Sequence, residues 1–277
     1  MNNPKVGILL SQIDGTELTK ECINSIKKCT YENLHFYIGD NFSKNLDIVS
    51  LFNIHSNTNF YIYKERLTYC ETFNYLANKA IQDDCEFIFV LNNDTNEFSI
   101  DYFEKILTTF QDKDIGMVGS QCKDYDGNMR HSVNKLKNKF GESVLIPTEG
   151  FLVRSEAWES VGGFNESLKM YGEDIILISN LTNKGWKISN NSEVSFSHLG
   201  GATIKKFPFS KIFLRTRNGV LILRSLKLPF LYKINYFIGW NRQTLYSFKS
   251  KGLFYFPIFV IWFFISVVNG FIVKKLN

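Results

Sequence analysis

Residues 85–95 read CEFIFVLNNDT. Five consecutive apolar residues, Phe87 to Leu91, run straight into Asn92-Asn93-Asp94. A short unbroken apolar run with a polar stop is the pattern of a strand buried on both faces, as in a parallel sheet. In open α/β sheets, ligands bind beyond the carboxyl ends of the strands. A carboxylate at such an end can hold a divalent cation, because Mg2+ takes one or two protein carboxylates and fills its other positions with phosphate oxygens and water. Asn and Asp are also ordinary turn residues, so a plain turn closing the strand is the competing reading.

The flanking sequence supports such a sheet. KVGILL (5–10), LHFYIGD (34–40), NFYIYKE (59–65) and IGMVGS (115–120) read as further strands. Between them lie helical patterns. Asp14 is placed to cap a helix with Glu17 completing a capping box, and Leu18, Cys22, Ile23 and Ile26 form its apolar face. A second helix is expected over 72–81. Ser99 is expected to cap a third with Ile100, Phe103, Leu107 and Phe110 inward. Alternating strands and helices predict an α/β fold, a mostly parallel sheet flanked by helices. The polar stretch 124–143 reads as a loop. FLVR then gives a strand, SEAWESV a short helix stopped by Gly162-Gly163, and MYGEDIIL the start of a helix ending near Gly185. WKIS and VSFSH read as two short strands.

Composition narrows the class. The 277 residues, 44% hydrophobic and 21% charged, suit a folded chain with a sizeable core. A net charge of +5 is mild, too weak to argue for nucleic acid unless it clusters. The five cysteines are scattered, with no C-x-x-C, which points to a reducing cytoplasm and not to a disulfide framework or zinc ribbon. The opening apolar run is too short for a signal peptide. No G-x-G-x-x-G, P-loop or H-E-x-x-H is present, which argues against dinucleotide dehydrogenases, P-loop nucleotidases and zincins.

Three more positions can carry chemistry. Asp40, in GDNFS at the end of the second strand, can accept from a ribose hydroxyl or serve as a turn aspartate. Glu173-Asp174 sit at a helix start, where carboxylates complement the helix dipole and one can also act as a general base. His198 ends VSFSH before Gly200-Gly201 and can ligate metal, contact phosphate, or be structural.

In combination these segments resemble the nucleotide-sugar-dependent glycosyltransferases of the GT-A fold, family two, and the bacterial rhamnosyltransferase-like members in particular. The resemblance spans roughly residues 5–226 and rests on five segments in order: DNFS, LNNDT, FLVRSEAWESVGGFNE with YGED, SHLGG, and RTRNGVLILRSLK. It departs from the family pattern at Asn92, Asn165 and Ile176, where the family carries Asp, and at ERLTYCETF, which lacks the family's glycines before Asn74. The resemblance implies an inverting hexosyltransferase of bacterial surface polysaccharide synthesis. Its implied donor is a dTDP- or UDP-linked sugar, rhamnose or another hexose, held by Asp40, Asn41, Asn74, Asn92, Asn93 and Arg154. Mg2+ or Mn2+ would sit on Asp94 and His198. Asp174 would be the base, with Glu173 orienting it or binding the acceptor, a glycan or lipid-linked glycan.

The chain changes character late. Residues 253–273 carry no charge over 21 positions, enough for a helix crossing roughly 30 Å of hydrocarbon, and lysines flank them. Residues 1–225 are therefore expected to form the transferase domain and 226–277 an aromatic, basic, membrane-associating helical tail at the inner face of the cell membrane; a buried core helix is the competing reading. Two other functions fit less well. A nucleotidyltransferase would need a glycine-rich basic loop where SQIDGTELTK stands. A noncatalytic sugar-nucleotide-binding or scaffold subunit would have no need of both Asp94 and Asp174.

Overall fold

Apolar strands in this chain are joined by amphipathic helices, and that alternation builds one eight-stranded sheet. The computed structural model describes residues 3–44, 51, 56–124, 126–129, 136–137, 143–144, 149–199, 208–225 and 256–273. The chain divides into two compact units, Met1–Phe164 with Asn180–Ala202, and Asn165–Ser179 with Thr203–Asn277. The helix Pro208–Ser225 lies in the second unit.

In the first unit the strands are β1 (Val6–Gln12), β2 (Leu34–Asp40), β3 (Thr58–Ile62), β4 (Phe87–Asn92), β5 (Thr95–Asn96), β6 (Ile115–Lys123), β9 (Gly150–Arg154) and β10 (Lys187–His198). Two short strands between β6 and β9, β7 (Leu136–Lys137) and β8 (Ser143–Val144), pair only with each other. They are the described part of the expected loop; the rest of 130–148 lies outside the described residues. The sheet order is β3-β2-β1-β4-β9-β6-β10-β5. β1, β2, β3 and β4 are mutually parallel where they pair, as are β6 and β10. β9 runs antiparallel to both of its neighbours.

The apolar faces meet in a core of Ile8, Leu10, Phe36, Phe89, Phe103 and Phe196, all without exposed surface. Phe89 lies at its centre, with ring centroids 5.6 Å from Tyr102 and 5.7 Å from Phe103. The buried Tyr102 hydroxyl shares a 2.7 Å hydrogen bond with Ser120, which spares it the cost of an unpaired polar group.

Several local expectations change. Asp14 does not cap the helix Thr16–Ile26, whose N-cap is Gly15 with no side-chain bond. Asp14 instead adopts a positive φ of 48° and its Oδ1 accepts from Lys44 N at 2.7 Å, tying two loops at the sheet edge. The capping box occurs at the helix Tyr69–Gln82, between Thr68 and Glu71. Ser99 does not cap the helix Tyr102–Thr108 either, because its hydroxyl is spent on the backbone of Ser195 and Ile100 is exposed. WKIS and VSFSH are one 12-residue strand with a register break between Asn191 and Ser195. The polar NNSE segment is thus a bulge within a strand, where one side slips while pairing continues.

In the second unit, the helix Phe256–Ile272 has 17 residues, about 25 Å at the helical rise. No helix among the described residues is long and apolar enough to cross a membrane. Residues 253–255 of the expected crossing segment, and 228–251 before it, lie outside the described residues. Gly270 allows this helix to approach the helix Pro208–Ser225 closely, since a Cβ there would meet Val220 Cβ at 2.7 Å and Arg217 O at 2.8 Å. Arg224 caps its end by donating to the carbonyls of Gly270, Phe271 and Val273. Ile261, Phe264, Ile265, Val268, Phe271 and Ile272 are exposed along it.

Phe89→Ala is expected to cost about 3–5 kcal/mol, because it empties the centre of the core. Urea denaturation would show this as a lower midpoint with an unchanged slope; a loss below about 1 kcal/mol would mean that the aromatic cluster is not the core's keystone.

Candidate active site

Parallel register sets the first layer of the site. Gln12 pairs with Asp40 across β1 and β2, and Ser11 pairs with Asn92 across β1 and β4, so the carboxyl ends of three strands form one rim. Asp40 is buried there, and its Oδ1 accepts from Gln12 Nε2 at 3.0 Å while Oδ2 accepts from Ser43 N at 3.0 Å. Asn41 is turned inward: Leu67 N donates to its Oδ1 and its Nδ2 donates to Leu67 O, each at 2.8 Å. Asn74 makes the same two-way bond with Phe164, at 2.9 Å each way. Both asparagines, expected on the donor, serve the backbone of neighbouring loops.

Asn92, Asn93 and Asp94 leave the end of β4. Asn93 Nδ2 donates to Thr19 Oγ1 at 3.0 Å, and Asn92 Oδ1 lies 3.5 Å from the Tyr69 hydroxyl. Asp94 is buried. The two-residue strand β5 then pairs antiparallel with the last two residues of β10, matching Thr95 with His198. That pairing carries the buried imidazole back to Asp94, with Nε2 2.9 Å from Oδ1. Glu149 Oε1 lies 3.9 Å from the other ring nitrogen, Nδ1.

Sequence reading missed Glu149 and misplaced Arg154. FLVR reads as a strand of unstated direction, and Arg154 was placed on the donor by the resemblance alone. Because β9 is antiparallel, its amino end meets the carboxyl end of β4, and Asn92 N donates to Glu149 O at 2.9 Å. Arg154 pairs with Phe87, at the opposite edge of the sheet, about 17 Å along the strand from Asn92. There its Nη2 donates to Phe110 O and its guanidinium lies over the rings of Phe87 and Phe110. A helix–strand alternation broken by a hairpin-like return gives no local sequence signal; only the change to a polar loop before β9 hints at it.

The Asp94–His198 pair fits a hard or borderline divalent cation. Two ligands at right angles on one octahedral metal with bonds of about 2.1 Å stand about 3 Å apart, and these atoms are 2.9 Å apart. No group of three or more His, Cys, Asp or Glu suited to a metal occurs among the described residues.

Glu173 and Asp174 belong to the second unit up to Ser179 and open the helix Glu173–Asn183. The turn before them is unusual: Lys169, Tyr171 and Gly172 all have positive φ. For each of the two residues that carry a Cβ this costs about 1–2 kcal/mol. Asp174 is buried. Glu173 is half-buried, but its Oε2 is shielded and has no hydrogen-bond partner. Burial, and next the neighbouring Asp174 charge, raise the Glu173 pKa to about 8.

Solved structures with this architecture are numerous. S. aureus TarS 1–349 superposes with a TM-score of 0.68 at 14% identity, over 96% of this chain and 80% of that one. The mannosyltransferase PcManGT from Pyrobaculum calidifontis, in complex with GDP-Man and Mn2+, gives 0.63 at 13% identity over 98% and 87%. The chain has the GT-A glycosyltransferase fold. S. aureus TarS 1–349 in complex with UDP-GlcNAc, another GT-A structure, gives 0.66 at 16% identity over 95% and 81%. No protein-family model matches the chain, and no curated protein matches it by sequence.

The raised Glu173 pKa has a signed consequence. Folding favours its protonated form, so its contribution is present below the ordinary value of 4.5 and is lost as pH rises through about 8. Wild-type Tm is therefore expected to decline across that window relative to Glu173→Gln. Thermal denaturation from pH 4.5 to 8.5 checks this, and parallel curves for the two proteins would refute it.

Proposed function

We propose that this protein is a metal-dependent, inverting glycosyltransferase that moves a hexose from a nucleoside-diphosphate donor, UDP- or dTDP-linked, to a glycan or lipid-linked glycan. The observation that carries the reading is the buried Asp94–His198 pair at the carboxyl end of the central strand of a GT-A fold. GDP-Man with Mn2+ in one structure of this fold and UDP-GlcNAc in another support the donor class and the cation. Rhamnose as the sugar, and polysaccharide assembly as the setting, rest on the sequence resemblance alone.

Asp94 and His198 would hold Mn2+ or Mg2+, which offsets the charge that develops on the departing diphosphate. Asp40, fixed by Gln12 and Ser43, would present a carboxylate oxygen to the ribose, with Asn92 and Asn93 beside it on the rim. Asp174 would take the proton of the acceptor hydroxyl. The freed oxygen forms the new bond to the anomeric carbon as the bond from that carbon to the diphosphate oxygen breaks, with inversion. Glu173 fits the orienting role: burial and the neighbouring Asp174 charge raise its pKa, which favours its protonated form beside Asp174.

The exposed apolar residues of the helix Phe256–Ile272 support contact with a membrane surface. In sequence, Lys249 and Lys251 precede this helix and Lys274 and Lys275 follow it, matching anionic headgroups. Such contact, peripheral or anchored, suits a lipid-linked acceptor at the inner face.

Three measurements test these points. Mn2+ together with one of UDP, dTDP or GDP should raise Tm in wild type and not in Asp94→Ala, since a ligand of the folded state must stabilise it; no shift with any nucleotide would favour a noncatalytic subunit. Asp174→Asn should lower nucleoside-diphosphate release by about 10²–10⁴-fold with donor affinity retained, and near-normal turnover would remove Asp174 as the base. In flotation with anionic vesicles, wild type should rise with lipid and Phe264→Asp/Val268→Asp should not; wild type remaining in the dense fraction would exclude membrane contact.

A further inference from the structure

The geometry points to Arg217 and Asn218 as positioning residues for the acidic pair Glu173-Asp174. This rests on the transferase reading above, in which Asp174 is the base.

Both residues lie on the helix Pro208–Ser225 and both are buried, Asn218 completely. A buried guanidinium must find hydrogen-bond acceptors. Arg217 finds them in the turn before Glu173 and beside it: Nη2 donates to the carbonyls of Ser167 and Leu168, and Nε donates to Asn218 Oδ1 at 2.9 Å. With its oxygen so held, Asn218 turns its amide nitrogen to three carbonyls, Leu168 at 2.9 Å, Met170 at 2.7 Å and Tyr171 at 2.9 Å. Two adjacent side chains therefore gather four carbonyls from one short turn.

That turn needs such donors. Positive φ at Lys169 (65°), Tyr171 (73°) and Gly172 (87°) winds the backbone against its usual hand and turns carbonyls inward. Glu173 and Asp174 follow immediately, so the dihedrals at Tyr171 and Gly172 set the direction in which both carboxylates leave the turn. An apolar side chain could bury such a segment but could not select one winding. A fully satisfied polar network does select one. For a base the selection matters, because misplacement by about 1 Å can cost about 100-fold in rate.

The test uses the full-length chain and nucleoside-diphosphate release with water as acceptor, from UDP-GlcNAc, GDP-mannose and dTDP-rhamnose, well below each variant's Tm. Asn218→Asp keeps the shape and removes the donors. Arg217→Lys keeps the charge and removes the fork. Both should lower kcat by about 10- to 100-fold with donor KM within about twofold. Asn218→Ser, which restores one donor, should recover part of kcat and serves as the readout if Asn218→Asp does not fold. Unchanged kcat in folded variants, whatever their Tm, would make the pair merely structural and overturn the inference. Asp174→Asn in the same assay separates the two ideas. If it is inactive while the Asn218 variants are active, only the positioning role fails. If it is fully active, Asp174 is not the base and the positioning role falls with it; if no donor turns over in wild type, the transferase reading fails first.

Discussion

The pairing of Thr95 with His198 is the constraint on which the site depends. It joins a two-residue strand to the end of a strand 103 residues later in sequence, from Thr95 to His198. Without it Asp94 would be a turn aspartate and His198 a loop histidine. With it, a carboxylate and an imidazole are held 2.9 Å apart in a buried setting. The bulge in β10 contributes, because the register shift between Asn191 and Ser195 fixes which residue of that strand arrives opposite Thr95. A slip of one residue would turn the imidazole to the other face of the sheet.

A second theme is the use of side-chain amides as substitutes for peptide groups. Asn41 and Asn74 each present a donor and an acceptor to a single backbone residue, Leu67 and Phe164. Aspartate could not do this, since it offers no donor at neutral pH. Asn218 applies the same chemistry three-fold to the turn before Glu173. These amides hold irregular backbone that no ladder can hold, and loops around a rigid sheet are where function gathers.

Much of this was legible in the sequence. The apolar runs at Val6, Leu34, Phe87 and Ile115 carried the strands, and the polar stops at Asp40 and Asp94 marked the rim, because strand burial and parallel topology both leave local patterns. The direction of β9 left none. A five-residue apolar strand reads alike in either orientation, so nothing local marked Glu149 as a rim residue, and Arg154, placed on the donor by the resemblance alone, lies at the other edge. Capping was misread at Asp14 and Ser99 for a related reason: each had a better tertiary partner, Lys44 N and the Ser195 backbone, than the helix it preceded. The roles of Asn41 and Asn74 were equally out of reach, since an amide that binds ligand and one that binds backbone look identical in sequence.

Asp94 and His198 are proposed to hold one divalent cation between them. Pulsed electron paramagnetic resonance of Mn2+ bound with UDP reads this directly, because a nitrogen bound to the metal modulates the signal. Nitrogen modulation is expected in wild type and is expected to be absent in His198→Ala. Tight Mn2+ binding with no nitrogen modulation in wild type would contradict it and leave His198 as a structural partner of Asp94.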